Sequence, residues 1–470
     1  MNRRDFVKNT SLLSAGSLLA TPLATYSMPL FAKKRLAMIG TGMRGSSFWG
    51  ETIHKNYSDF VEFVGLCDIN PGRVAYAKKK MGVNCKVYAD LETMIAETKP
   101  DIVIVTTRDD QHDLHIVKAL ESGCEVITEK PMTTDEVKCQ RILETEKRVG
   151  KKVIVGFNYR YMPHTTKLKE LLMANRIGDI TSVDFHWYLN TYHGADYFRR
   201  WHAYNRFGGS LWVHKASHHF DLLNWWLNSD PVEVMAYGSL ENYGKNGNFR
   251  GKNCRNCAHT KDCKFYWDIT KSQQLMDLYA ANEQYDGYFR DGCVFRDDID
   301  IWDKMSAQIK YANGVIVNYS LTTYSPYEGW RIAFNGKNGR IDTWQDIPFQ
   351  EGSLEKISQA ERHTMEMSQN KEEPTGFEEI IISDNFKPSF ESVKLPKYKG
   401  GHGGGDKRMQ DYIFNNQGLS DPMSHQAGTR DGAFSILIGI AARKSIEQRR
   451  PVQISELTDL VSLAVRPGKI

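Results

Sequence analysis

Three glycines at a fixed spacing form the first pattern in this chain that could do chemistry. They are Gly40, Gly42 and Gly45 of the segment GTGMRG, and they directly follow the apolar run 36–39. In a G-x-G-x-x-G loop, the first glycine permits a tight turn and the second lets a pyrophosphate approach the main chain. The third lets the following helix pack closely on the strand. Because the start of that helix offers free N–H groups to phosphates, the loop predicts a dinucleotide site.

An acidic residue ends the next strand-like run, residues 63–67. This residue, Asp68, follows the glycines at about the spacing, roughly 20–30 residues, that suits binding of a ribose hydroxyl pair. Its carboxylate would repel a 2′-phosphate, so we expect NAD rather than NADP. Arg73 stands nearby as a cation that acts against this preference.

Four of the eight cysteines fall in one stretch of the chain. Cys254, Cys257 and Cys263 are followed thirty residues later by Cys293. Four thiolates at these spacings suit a tetrahedral structural zinc or, less often, an iron–sulfur cluster. In an exported protein, two disulfides are the competing interpretation, and the sequence leaves both open. The other four cysteines are scattered through residues 67–139, where we expect ordinary buried thiols.

The first 32 residues are typical of an export signal rather than of a folded domain. Arg3 and Arg4 form a twin-arginine pair, and a weakly apolar segment, residues 11–24, follows it. That segment is too short and too polar for a stable membrane span. We therefore expect a periplasmic or otherwise exported protein, the alternative being a chance arginine pair before a disordered start.

The bulk composition describes an ordinary soluble protein with two or three domains. The chain has 470 residues, 41% of them hydrophobic, and a net charge of only +4. A charge this small, with no dense basic run, excludes nucleic acid as an expected partner.

The elements that must position these residues differ between the two halves of the chain. Residues 33–155 alternate between strands and helices, which predicts a parallel, doubly wound sheet with its ligand beyond the strand ends. Residues 305–345 read as sheet with a hairpin turn at Asn313-Gly314. Residues 240–300 look like an insertion, and residues 350–400 like a charged surface excursion or mobile loop.

The end of the chain holds a glycine-rich turn and a last helix. The turn, GGHGGGD, could bring His402 and Asp406 to the cleft or could simply cap a helix. A helix over 431–449 and a strand over 452–454 are predicted to complete the domain.

The glycine loop, Asp68 and the segment Glu129-Lys130-Pro131 together resemble the Gfo/Idh/MocA oxidoreductases. The segment 156–163, GFNYRYMP, is similar to the start of that family's second domain. The resemblance covers nearly all of the chain after residue 32. It implies an α/β protein with an N-terminal Rossmann domain and a C-terminal α/β domain built on a large, mostly antiparallel sheet. We place the signal at 1–32, the NAD-binding domain at 33–155, the substrate domain at 156–455 and a tail at 456–470.

The resemblance also assigns the site. The segment GGSLWVHKASHHFD puts His218 on the family's catalytic histidine, and it puts His214 where many members carry Asp. Lys130 would polarise the substrate hydroxyl, and His218 would accept its proton. His214 and His218 are four residues apart, so a helix would put them on one face. The alternatives to a catalytic role are a hydrogen-bonded pair in the core or an accidental metal-ligand spacing. The expected cofactor contacts are Gly40, Gly42, Met43, Arg44, Gly45, Asp68, Thr106, Thr107, Glu129 and Lys130.

Aromatic residues are dense between Trp187 and Arg206, which suits a carbohydrate whose C–H faces stack on rings. An aromatic core or a dimer surface is the alternative. The expected substrate contacts are Arg160, Tyr161, His214, Lys215, Tyr192 and Trp201.

The first functional hypothesis is an exported NAD-dependent oxidoreductase that moves a hydride between a carbohydrate hydroxyl and the nicotinamide. A glycosidase that oxidises its substrate transiently with resident NAD is the second. A non-catalytic sugar-binding protein of the same fold is the third. We expect a small-molecule carbohydrate as partner and a homo-oligomer.

Overall fold

A computed structural model describes residues 32–345, 376–398, 400–415 and 420–467. The twin-arginine segment, residues 1–31, and residues 346–375 of the predicted excursion lie outside the described residues. Within the described ranges, no helix has the length and apolar character needed to cross a membrane.

Six parallel strands form the first sheet in the order β3-β2-β1-β4-β5-β6. The strands are β1 Lys34–Ile39, β2 Val61–Cys67, β3 Lys86–Tyr88, β4 Ile102–Val105, β5 Glu125–Thr128 and β6 Val153–Val155. The helices between them are α1 Thr52–Tyr57, α2 Pro71–Met81, α3 Leu91–Thr98, α4 His112–Glu121 and α5 Glu136–Val149. The strand order reverses at β1, and such a switch point opens a crevice beyond the strand ends.

Nine strands form the second sheet in the order β14-β13-β12-β11-β7-β10-β9-β8-β15. They are β7 Ile180–Asn190, β8 Pro231–Ser239, β9 Lys304–Tyr311, β10 Ile316–Ser325, β11 Gly329–Gly336, β12 Gly339–Gln345, β13 Phe377–Asp384, β14 Phe390–Pro396 and β15 Val452–Gln453. Among the strands that the structure describes in this sheet, β7 and β10 are the one parallel pair. The two sheets confirm the predicted fold class.

The strands of the second sheet alternate between buried and exposed residues. This alternation follows because helices cover one face of the sheet. In β9, Met305, Ala307 and Ile309 face the core. The helices of this half are α6 Pro163–Met173, α7 Thr191–Arg199, α8 Asn205–Gly208, α9 Ser210–His214, α10 Ala216–Leu227, α11 Gln273–Leu278, α12 Gly405–Phe414 and α13 Thr429–Gln448. Helix α13 crosses α9 closely, since a Cβ at Gly439 would lie 2.3 Å from the Trp212 carbonyl oxygen.

The predicted hairpin at Asn313-Gly314 is confirmed, with Gly314 at φ +88° between β9 and β10. The predicted excursion over 350–400 is wrong for residues 377–396, which form the hairpin β13–β14. Ile380 and Ile382 are buried and alternate with less buried residues, so this segment continues the sheet beyond β12. Charged residues on its outer face hid that alternation.

Candidate active site

The glycine loop leaves β1 and forms a main-chain surface at the centre of the first sheet. Gly40 has φ +89°, and a Cβ there would lie 2.5 Å from the Thr107 nitrogen. A Cβ at Gly45 would lie 2.2 Å from the Gly40 carbonyl oxygen. Gly42 is different, because its nearest atom is the Tyr279 hydroxyl, at 3.3 Å. Two glycines therefore permit packing inside the loop, whereas Gly42 faces the cleft.

The loop runs into a helix that begins with a π-helical segment, Arg44–Glu51, and continues as α1. Met43, at the start of that helix, directs its N–H to the Tyr279 hydroxyl at 3.0 Å. The N–H groups at a helix start are the donors that pyrophosphates bind. The loop geometry fits the phosphates of a dinucleotide, and a phosphate at the Met43 N–H would have to displace the Tyr279 hydroxyl or share that donor with it.

Asp68 is fixed beside the loop by four hydrogen bonds. Its Oδ2 accepts from the N–H and the hydroxyl of Thr41, at 2.8 and 3.0 Å. Its Oδ1 accepts from the Asn70 N–H at 2.9 Å and from Arg73 Nη2 at 3.3 Å. The carboxylate stands at the end of β2, where the acid that binds a ribose hydroxyl pair lies in such sheets. Its four acceptor sites are taken by protein donors, so a ribose hydroxyl would have to replace or share one of them.

Arg44 connects the loop to the second half of the chain. Its Nε donates to Glu129 Oε1 at 2.6 Å, and its Nη1 lies 3.2 Å from Asp406 Oδ2. Asp406 also accepts from Asn158 Nδ2 at 2.6 Å and pairs with His402 at 3.1 Å. Burial raises the pKa of Asp406, but Arg44 and His402 outweigh it and hold the pKa well below its usual range. The GGHGGGD turn therefore reaches the cleft, as one of its two interpretations predicted.

The glycine loop opens into a cleft of about 1880 Å³. Small-molecule pockets usually have about 300–1,000 Å³, so this cleft has room for a dinucleotide and a second molecule. The predicted site residues that line it are Gly40, Gly42, Met43, Arg44, Asp68, Thr106, Thr107, Glu129, Lys130, Trp201, His214, Lys215 and His218.

Lys130 and His218 both line this cleft, one from the first half of the chain and one from the second. Lys130 follows β5, and its Nζ donates to the His214 carbonyl oxygen at 3.3 Å. Burial lowers the pKa of Lys130 to about 8. His218 lies on α10, and its ring stacks on Tyr159 with centroids 4.2 Å apart. Burial first, and then the charges of Lys130 and Lys215, lower the pKa of His218 well below its ordinary value.

His214 has a carboxylate partner that the sequence interpretation did not assign. Its Nδ1 lies 2.5 Å from Oδ2 of Asp109, and both side chains are buried. Burial raises the pKa of Asp109 and lowers the pKa of His214, so the pair is expected to share one proton. The His202 ring packs against the His214 ring with centroids 4.0 Å apart.

Three predicted substrate contacts do not line the cleft. Arg160 is buried against Asp221, with nitrogen–oxygen distances of 2.8 and 2.6 Å. Tyr161 packs on Tyr412 and His425 in a core cluster. Tyr192 is exposed on the outside of α7. The reason in the first two cases is the tight turn Asn158–Tyr161, in which successive side chains point in different directions. Gly45 is also absent from the lining, because it packs behind the loop.

Tyr159, rather than Tyr161, faces the cleft, and its hydroxyl accepts from Lys215 Nζ at 3.2 Å. Asp109 could have been found, since it follows the carboxyl end of β4, where ligands bind in such sheets. Glu328, which pairs with His193 at 3.0 Å and lines the cleft, has no local sequence signal.

The four clustered cysteines line one small cavity of about 20 Å³. All eight cysteines of the chain are free thiols. Nowhere among the described residues do three or more His, Cys, Asp or Glu side chains form a group placed to hold a metal ion, so the zinc expectation finds no support. Instead, Cys254 Sγ accepts from Arg199 Nη1 at 3.1 Å. Three of the remaining cysteines are buried as expected, and Cys85 is half-buried.

Two family models match the chain in order. Residues 34–157 match the oxidoreductase family's NAD-binding Rossmann fold, and residues 169–454 match its C-terminal alpha/beta domain. The chain belongs to the Gfo/Idh/MocA oxidoreductase family.

Relatives and solved structures agree with this assignment. A Bacillus subtilis (strain 168) protein named as an oxidoreductase, YteT, is 36% identical over 447 residues, which are 90% of this chain and 98% of that protein. Inositol 2-dehydrogenase of Salmonella typhimurium is 29% identical over 204 residues, 43% of this chain and 57% of that enzyme. The structure of levoglucosan dehydrogenase with NADH and levoglucosan shares the fold at a TM-score of 0.61 and 16% identity, covering 90% of this chain and all of that one.

Proposed function

We propose that this family member is an NAD-dependent oxidoreductase that moves a hydride between a carbohydrate hydroxyl carbon and the nicotinamide. One observation carries the proposal. Lys130, which follows β5, and His218, on α10, lie in the wall of the same cleft as the glycine loop and Asp68. Bound NAD supplies the carbon that accepts or returns the hydride.

The residues of this chain manage the proton that leaves with the hydride. A general base works best when its pKa is near the working pH, and the pKa of about 8 at Lys130 meets that condition. The lowered pKa of His218 keeps its ring neutral, so it suits a hydrogen bond to the hydroxyl better than it suits proton storage. The sequence had suggested the reverse, with Lys130 polarising the hydroxyl and His218 accepting its proton.

The substrate end of the cleft suits a molecule with many hydroxyl groups. Trp201 and Tyr197 offer ring faces there, and Glu328, His202 and Lys215 offer hydrogen-bonding groups. The relative named inositol 2-dehydrogenase acts, by its name, on a cyclic polyol, which supports the same substrate class for this chain.

We further propose that the twin-arginine segment exports the protein. That route carries folded proteins, so the cofactor would already be bound when the protein leaves the cytosol. Cell fractionation of the full chain, beside a variant with Arg3 and Arg4 changed to Lys, tests this. If the native chain and the variant were found in the cytosol in equal amounts, the export proposal would be contradicted.

The function is tested by adding a panel of sugars and polyols to purified protein that carries NAD⁺ and following absorbance at the NADH band. Net reduction with at least one polyol is expected. Release of a sugar from a glycoside without net reduction would replace the proposal with the glycosidase. Binding without either change would replace it with the sugar-binding protein.

The pH dependence identifies the base. Lys130 becomes a neutral amine above about pH 8, so the rate of hydroxyl oxidation should rise with pH through about 8. The rate of the reverse reduction needs the ammonium form and should fall over the same interval. Both inflections should be lost in Lys130→Met, and their persistence would exclude Lys130 as the proton acceptor.

A further inference from the structure

One segment of the insertion crosses from the substrate half to the nucleotide end of the cleft. This crossing segment comprises α11 and the tight turns after it, residues 273–286. Its Tyr279 hydroxyl meets the Met43 N–H in the glycine loop, and the Asn282 side chain fills the space beside Gly72. A Cβ at Gly72 would lie 1.7 Å from Asn282 Oδ1, so a larger residue there would have to displace the Asn282 side chain.

The crossing segment ends at a carboxylate beside the ribose site. Asp286 Oδ2 lies 2.5 Å from Arg73 Nη1 and accepts from Asn70 Nδ2 at 3.2 Å. The other arm of the same guanidinium, Nη2, bonds Asp68 Oδ1 at 3.3 Å. Arg73 is therefore held between two carboxylates, one from the Rossmann domain and one from the insertion.

This arrangement bears on the choice between NAD and NADP. A guanidinium next to the ribose acid is the group that accommodates a 2′-phosphate in proteins that use NADP. Here both arms of Arg73 already have anionic partners, and Asp286 adds a second negative charge to the lining of the cleft. A 2′-phosphate would have to displace one of the two carboxylates from Arg73 and lie close to the other.

We infer that Asp286 is a specificity-determining residue, supplied by the insertion, that selects a dinucleotide without a 2′-phosphate by occupying Arg73. The inference rests on the proposed function, because it concerns the same cofactor site. It gives the insertion a role in cofactor choice that its cysteine pattern does not indicate.

The test is the binding of NADH and NADPH to cofactor-free full-length protein, measured by fluorescence titration. Asp286→Asn should reduce the preference for NADH over NADPH about tenfold, the effect of one lost contact to a charged group. Asp277→Asn is the matched control. It removes one negative charge from the same segment, but its side chain accepts from Gln273 rather than contacting Arg73, so the preference should change less than twofold.

Arg73→Met supplies a second measurement that does not depend on the folding of the Asp286 variant. In the wild type the guanidinium is occupied, so Arg73→Met should leave NADPH affinity nearly unchanged. In the Asp286→Asn background it should remove the gained NADPH affinity.

An unchanged preference in Asp286→Asn, or a tenfold loss of NADPH affinity in Arg73→Met alone, overturns the inference. In either case wild-type binding of NADH leaves the proposed function standing. If the wild type binds neither dinucleotide, the proposed function falls, and the inference falls with it.

Discussion

At the nucleotide end of the cleft, the surface that fits phosphates is the main chain of one short loop. Gly40 packs against main-chain atoms at the end of β4, and Gly45 packs against the carbonyl oxygen of Gly40. At the substrate end, the walls are side chains from separate segments, such as Lys130, Tyr159 and Glu328. The first end depends on close approach of backbone, and the second depends on which side chains long-range packing brings together.

This difference predicts different responses to mutation. A change in the glycine loop alters the main-chain surface and should act on cofactor affinity. A change at the substrate end removes one group from a set and should act on turnover while the cofactor stays bound.

The largest effect is expected from the pair at the substrate end. Lys130→Ala should lower turnover by roughly 10²–10⁴-fold, the range for a lost acid–base group. His218→Ala should lower it by roughly tenfold to a hundredfold, the effect of one lost hydrogen bond to the reacting hydroxyl. The double variant should lose less than the product of the two, because residues that act as one unit are not additive. Both variants should still bind NAD, because the glycine loop and Asp68 are unchanged.

Steady-state kinetics and NADH titration on the same preparations separate the two quantities. Lys147→Ala is the control, because it removes an exposed lysine of the first domain. If either active-site variant kept near-full turnover on the true substrate, its residue would not belong to the catalytic unit.

The next effect is expected at the nucleotide end. Gly45→Ala places a Cβ 2.2 Å from a main-chain oxygen that cannot move without distorting the loop. An overpacked contact costs about 1–3 kcal/mol of folding stability, so Gly45→Ala should lower the free energy of unfolding by about that much. The displaced loop should also bind NAD more weakly. Gly42→Ala meets only the Tyr279 hydroxyl, at 3.3 Å, so it should cost less stability. Its Cβ would stand where a pyrophosphate approaches the main chain, so it should lower NAD affinity directly. Equal losses of stability in the two variants would show that the loop does not discriminate between its glycines as described.

Much of the nucleotide end was predictable because its geometry is local. The spacing of Gly40, Gly42 and Gly45 and the strand before them dictate the turn, and the structure repeats it. Asp286 was not predictable, because nothing near residue 286 in the sequence indicates that it returns to Arg73.

The substrate end was predictable only in part. The resemblance indicated Lys130 and His218, and the structure brings both to the cleft. The substrate contacts that we expected at Arg160 and Tyr161 do not line the cleft. Successive side chains of a tight turn point in different directions, so the sequence does not show which of them faces the cleft. The first sheet was predicted from the alternation of strands and helices, and the large second sheet from the resemblance, except for β13 and β14, where charged outer faces hid the pattern.

A smaller effect is expected at the Asp109–His214 pair. Asp109→Asn replaces the carboxylate that His214 Nδ1 contacts at 2.5 Å, and so it changes which ring nitrogen carries the proton. The loss of one contact to a charged group should lower turnover about tenfold and leave NAD affinity unchanged. Asp113→Asn is the control, because that residue is buried on α4 against Arg141 and does not line the cleft. Equal turnover in the two variants would show that the pair does not orient His214 for catalysis.

The smallest effect is expected at the cysteine cluster, which belongs to neither end of the cleft. The structure has all eight thiols free, so thiol titration in denaturant without reductant should find about eight groups. Two disulfides among Cys254, Cys257, Cys263 and Cys293 would reduce that number to about four. Cys257→Ser should leave both turnover and NAD affinity unchanged, because its half-buried thiol lines the small cavity, accepts from the His259 N–H and does not line the cleft. A fall in NAD affinity in this variant would instead connect the cluster to the nucleotide end through the crossing segment.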